Sequence, residues 1–290
     1  MHRAERWIFA PEDARRLAAV RIGLCLLLAY RLSAHDYDVF AARHFRFLPH
    51  SYMDVFAGMP SPDLASGLQA LGIAAALAAA LGLALRITLP AAFVSGLILD
   101  GMLNSAGRVM VRDALLMLCL AIIVAAGRAA GEVWAVHAPN REGFGERYGW
   151  PIRTAMVVIA LAYFFAAFQK WRYSGLAWFS SDNLRWILYA QAHPNGFALF
   201  IADRPLLAHL FAAGALLLET CFPLVLFMRR LRWLLIPAVV TMHVAIRIAL
   251  GLDYSAQWLT VLIVFVDWPV VLDWTRRTLA PVTAPREIAR

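Results

Sequence analysis

The segment Ile152–Phe168 reads IRTAMVVIALAYFFAAF and runs straight into Gln169-Lys170-Trp171. After Arg153 it holds no charged side chain, and its apolar residues come as a block rather than at amphipathic spacing. That is the signature of a helix solvated by lipid. With a residue or two of margin this span covers about 152–169, and similar blocks recur at about 15–34, 64–85, 88–103, 111–127, 206–228, 232–250 and 256–274. Each is close to the roughly 20 residues needed to cross hydrocarbon. The third is short, holds Asp100 and leads into Asn104. The run after Arg15 lacks a convincing cleavage site, so it reads as a first transmembrane helix rather than a signal peptide.

Composition agrees with the blocks. The 290 residues are 62% hydrophobic and only 16% charged, whereas soluble chains run about half apolar and about a quarter charged. The expected fold is an all-α polytopic membrane helix bundle of about eight spans, filling residues 1–290 as one domain. The net charge of +8 comes without a basic stripe interleaved with aromatics. Membrane lipid, not nucleic acid, is the implied partner. Cys25, Cys119 and Cys221 lie inside apolar blocks without ligand spacing and read as buried free thiols.

The arginines set the orientation. Arg3, Arg6, Arg15, Arg16, Arg86, Arg128, Arg276 and Arg277 share one side with the turn Arg229-Arg230-Leu231-Arg232. The positive-inside rule makes that side cytoplasmic, with both termini. Two long stretches then face outward. Residues 35–63 hold His35, Asp36, Asp38, His44 and His50, which read as a solvated loop rather than a metal site. In residues 170–205, Ser181-Asp182 is placed to cap a short helix with Leu184, Ile187 and Leu188 on one face. Trp171, Tyr173, Trp178 and Trp186 suit an interfacial layer.

Of 27 basic residues, only Lys170 is lysine. It is expected where the fifth span ends and the tryptophan-rich loop begins. Lysine differs from arginine chiefly in being able to lose its proton, so the survivor is either a base or a snorkelling boundary residue. Deeper in the spans lie Arg21, Glu219, His243 and Arg247, and such groups face a bundle interior or cavity. Glu219 and His243 each fall about 15 Å from the Arg229 turn on antiparallel neighbours. A hydrogen-bonded Glu219–His243 pair is expected, serving to join helices or to move protons. Arg247, one turn further, is placed to meet an anionic or quinone-like oxygen. No P-loop, dinucleotide fingerprint, HExxH motif or nucleophile elbow is present.

The run Ala162-Tyr163-Phe164-Phe165-Ala166-Ala167-Phe168-Gln169-Lys170, followed by Trp178, resembles the membrane domain of vitamin K-dependent gamma-carboxylase and the bacterial horizontally transferred transmembrane family. The matches extend to Arg21-Ile22-Gly23-Leu24, the turn Asn104 to Asp113, Leu218-Glu219 with Pro223, and His243 before Leu250-Gly251. They keep their order from roughly residue 15 to 270. The resemblance implies a site in the outer leaflet of a bacterial cytoplasmic membrane. It makes Lys170 the base acting on a quinol or other lipophilic substrate, with Gln169 where the carboxylase has another lysine. Glu219 and His243 join it as catalytic residues, and Asn104, Arg112, Asp113, Trp178 and Arg247 line the substrate. The carboxylase's histidine near the fourth span has no counterpart between Arg108 and Asp113, and its large extramembrane domain none in this chain. Peptide carboxylation is therefore not expected. The alternative is a membrane subunit without catalysis, its polar groups holding helices, lipid or a protein partner.

Overall fold

A computed structural model describes residues 3–42, 47–49, 51–105, 112–136, 143–191 and 193–279. A short helix α1 (Arg3–Ile8) and strand β1 (Glu12–Asp13) precede α2 (Ala14–Ser33) and α3 (Tyr37–Ala41). A 3-10 turn at Ser51–Val55 leads to α4 (Pro62–Leu81) and α5 (Leu85–Asn104), then α6 (Ala114–Ala126), which continues as a second 3-10 turn through Gly131. Strand β2 (Phe144–Gly145) pairs antiparallel with β1 and opens α7 (Glu146–Ser174). Three short helices follow, α8 (Ala177–Ser180), α9 (Asn183–Tyr189) and α10 (Gly196–Ala202), and then α11 (Pro205–Cys221) and α12 (Leu224–Phe227). The chain closes with α13 (Arg229–Leu250), α14 (Ser255–Phe265) and α15 (Trp268–Leu279). The fold is an all-α bundle, as its apolar blocks imply.

Five helices are long and apolar enough to cross a membrane: α4, α5, α6 with its following turn, α7 and α13. The pairs α10–α11 and α14–α15, bent by 100° and 75°, bring the number to seven if each is one span. Helix α2 fills the first expected span but carries Arg15, Arg16, Arg21 and Arg31. It is buried along most of its length and packs on α4, α6, α7 and α14. It is the central helix, and its cations face protein rather than lipid.

Three expectations are corrected. Lys170 does not begin a loop, because α7 continues for 29 residues through Ser174. Nothing in Gln169–Ser174 breaks a helix, and the stop is Gly175, at φ +53°, whose N–H caps the Lys170 and Trp171 carbonyls. The segment 256–274 is not one straight span. Helix α14 has 11 residues, about 16 Å, and stops at the extended Val266. There Trp268 Nε1 donates to the Ile263 carbonyl at 2.8 Å and Pro269 starts a new helix. Likewise 206–228 breaks at Phe222-Pro223, since proline has no N–H to continue the ladder.

The stretch after α7 forms short helices as expected, with a difference in detail. Leu184 and Leu188 pack with Ile201 and Ala249, but Ile187 is exposed. Asp182 makes no side-chain cap and binds Arg185 at 2.8 Å instead. Gln191 and Asn195 donate to the Ala249 and Ile248 carbonyls, docking this segment on the end of α13.

Close approach of α2, α4 and α5 depends on small residues, the usual means of packing helices in lipid. A Cβ on Gly72 would sit 2.7 Å from Leu32 Cδ1 and 3.1 Å from Ser95 Cβ, while one on Gly67 meets nothing within 4 Å. Gly72→Leu should therefore destabilise by about 1–3 kcal/mol through overpacking, with Gly67→Leu near neutral. Thermal unfolding of both variants in detergent checks the difference.

Candidate functional site

Period 3.6 places Tyr163, Ala167 and Lys170 on one face of α7. Tyr163 and Ala167 are buried, and Lys170 keeps a 21% exposed side chain. Ala212, Leu216 and Glu219 form the inward face of α11 by the same spacing, all buried. The two faces meet, so Lys170 Nζ donates to both carboxylate oxygens of Glu219. The ammonium also lies 5.2 Å from the centroid of the Trp178 ring, a cation–π distance. Trp171 Nε1 donates to Thr220 Oγ1 at 3.1 Å and holds the same two helices together.

The expected Glu219–His243 pair does not form. Glu219 is taken by Lys170, and His243 Nε2 instead meets the Tyr163 hydroxyl at 2.9 Å. Helix α7, not α13, is the nearest polar neighbour of α11 here. Distance from a shared turn sets how far along each helix these residues lie, but not which way they face. His243 is buried and packs against Tyr254, with ring centroids 5.5 Å apart. Its Nδ1 is buried and has no hydrogen-bond partner among the described residues.

A second network sits at the same end of the bundle. Arg31, buried at the end of α2, forks onto Asp113 through Nε (2.7 Å) and Nη2 (3.1 Å). Its Nη1 donates to Asp253 at 2.7 Å and is 3.4 Å from Ser255 Oγ. Asp113 starts α6 without capping it, because its carboxylate is engaged across the bundle. Arg247 is exposed and 3.7 Å from Asp253; it joins this network rather than supporting Lys170 at depth. Asn104 donates to its own helix neighbour Asp100 at 3.1 Å, and Arg112 is half-buried beside Asp113. Tyr254 links the networks, following Asp253 in sequence while its ring packs tilted against His243.

The structure thus brings together Lys170, Glu219, Trp178 and, through Tyr163, His243. It places Asp113 and Arg247 on the Arg31 network instead. Arg31, Asp253, Tyr163 and Tyr254 were not singled out as site residues from sequence. A charge inside the last turn of an apolar block was the available signal for Arg31. Among the described residues no group of three His, Cys, Asp or Glu side chains could hold a metal ion; His44 and His50 lie outside those residues.

Asp253 lies between α13 and α14. Burial pushes its carboxyl upward, but the Ser255 N–H and hydroxyl with the Arg31 and Arg247 charges outweigh this and hold it below the usual range. A depressed carboxylate stabilises the fold above its unfolded pKa of about 4 and loses that contribution as pH falls through the folded value. Asp253→Asn should lower Tm at pH 7, with the deficit shrinking towards pH 3. Melting curves at the two pH values test this.

The Lys170–Glu219 pair gives a second expectation. Removing one partner of a buried pair strands the other, at a cost of up to about 3 kcal/mol, whereas removing both is far milder. Lys170→Met and Glu219→Leu should each lower stability by more than the double variant does, as a double-mutant cycle in detergent would measure.

Comparison of the chain with family models, with curated proteins and with solved structures gives no match.

Proposed function

We propose that this multi-pass membrane protein is an enzyme similar to the membrane domain of vitamin K-dependent gamma-carboxylase. In this reading Lys170 takes a proton from a quinol or another lipophilic hydroxyl compound. The observation that carries it is that the only lysine of the chain turns into the bundle, against Glu219 and the Trp178 ring. A boundary lysine that snorkels would point away from the bundle.

The pair suits proton transfer. Ammonium with carboxylate and amine with carboxylic acid are both neutral overall, so passing a proton from Nζ to Glu219 moves no net charge in a low dielectric. The free amine then forms an N–H bond as the substrate O–H breaks, leaving the electron pair on the substrate oxygen. Developing oxyanion charge is met by the new ammonium. The unpartnered Nδ1 of His243 offers a second polar contact, and a buried ring nitrogen gains by acquiring one. Access follows from Phe164, Phe165 and Phe168, which are exposed on α7 and lie 5.8–6.4 Å apart by ring centroid. They make an aromatic surface that a lipid-dissolved ring can cross.

This reading also takes the membrane as the bacterial cytoplasmic one, with both termini inside and the site in the outer leaflet. The arginine asymmetry supports that orientation. Peptide carboxylation is not part of the proposal. A second reading, a membrane subunit whose polar groups only hold helices, is favoured by one observation: Lys170, Glu219 and Tyr163 each already have a partner on another helix.

The two separate in proteoliposomes loaded with a reduced quinol. Quinol and oxygen give quinone and hydrogen peroxide, and the reaction starts from the quinol anion, so a base accelerates oxygen uptake. Positioned general bases contribute about 100- to 10,000-fold. Wild type should exceed protein-free liposomes, and Lys170→Arg, which keeps the charge and the Glu219 pair, should lose about 100-fold or more of that excess. Equal uptake by wild type and Lys170→Arg, or none above protein-free liposomes, would leave the structural reading.

A further inference from the structure

A cleft of about 770 Å³ opens at the opposite end of the bundle, between the start of α5 and the 3-10 turn after α6. Leu85, Ile87, Leu89 and Val124 line it, and Arg86 and Arg128 stand at it. Both arginines are exposed and have no ion-pair partner among the described residues. The one acid in the lining, Glu132, is already matched by Arg147 at 2.8 Å and by the Tyr148 hydroxyl at 2.5 Å. The cleft therefore carries uncompensated positive charge.

The backbone adds to it. Helix α5 starts at Leu85 behind Ala84, a residue in the left-handed region (φ 42°) that supplies no side-chain cap. The Ile87 and Thr88 N–H groups are taken by the Ala84 carbonyl, which leaves those of Leu85 and Arg86 as donors at the positive end of the helix dipole. Two guanidinium groups and a helix start share one opening. This is the combination that binds a phosphate.

The apolar wall decides between a soluble anion and a lipid. Ile87, one residue past Arg86, is 72% exposed at the start of a membrane-spanning helix. A free anion has no use for that surface, while an acyl chain does. We propose that this cleft binds one anionic phospholipid, its phosphate between Arg86 and Arg128 and an acyl chain along Leu85 and Ile87. The site is independent of Lys170 and of any reaction there.

Native mass spectrometry of the full chain in non-ionic detergent, with added phosphatidylglycerol, tests it alongside thermal unfolding. Wild type should retain one phosphatidylglycerol and gain Tm from it, with little effect of phosphatidylcholine or inorganic phosphate. Arg86→Gln/Arg128→Gln should bind roughly tenfold or more weakly, as the loss of two lipid-facing cations implies, without a change of Tm in lipid-free detergent. Arg229→Gln/Arg230→Gln removes two exposed charges at the same end but outside the cleft, and should leave binding unchanged. Undiminished binding by the cleft variant, an equal loss in the Arg229/Arg230 variant, or an equal Tm gain with inorganic phosphate would each overturn the proposal.

Discussion

The bundle is organised around a cation that has no carboxylate partner among the described residues. Arg21, fully buried on α2, donates through Nη1 to the Ala130 carbonyl and through Nη2 to that of Trp134, each at 2.6 Å. The Ala80 carbonyl near the end of α4 lies 3.4 Å from Nη2. Burying a lone guanidinium costs several kcal/mol, and what offsets that here is the negative end of a helix and its adjoining turn. Trp134 holds its accepting carbonyl in left-handed backbone, at φ +51°, a conformation costing a non-glycine residue about 1–2 kcal/mol. The ends of α4 and of the turn after α6 must therefore converge on α2 at one height. Gly82, at φ +78°, lets the chain turn there, since any Cβ would strike Ala135 at 2.2 Å.

With α2 fixed at one end by Arg21, Arg31 fixes it at the other. Its planar fork matches the Asp113 carboxylate and reaches Asp253 with the remaining nitrogen, a geometry that lysine cannot reproduce. The start of α6 and the α13–α14 turn are thereby set against α2. Arginine serves where permanent charge and directional donors join elements. The one lysine is used differently, with a single carboxylate and an aromatic face, and three donors that rotate about one bond. The buried arginines of α2 thus act as fixed joints between several elements, whereas Lys170 ties α7 to α11 through one carboxylate.

Much of this was legible in the sequence. Blocks such as 64–85 and 232–250 gave α4 and α13 nearly end to end, because length and hydropathy are local properties. The break at Val266 is marked only by Asp267 and Pro269, the residues of a helix start, within a run whose hydropathy alone reads as one span. Trp268 folds back on the Ile263 carbonyl there, a contact only five residues apart in the chain. Glu219 and His243 were recognised as buried polar groups from the cost of placing them in a span. Their partners were not, because pairing depends on which helices become neighbours and how each is rotated. Spacing along one chain contains neither quantity.

The same distinction changes what Lys170 is. At the start of a loop, its side chain would have been free to follow water. On α7 its direction is fixed by the period that buries Tyr163 and Ala167, seven and three residues before it, and that face looks at α11. Extending α7 past Phe168 therefore commits the ammonium to the bundle, where an unpaired charge would be costly. Glu219 supplies the countercharge from the equivalent inward face of α11. Either residue alone would be a costly unpaired charge in the bundle, so the length of one helix and the acid on another form a single feature of the fold.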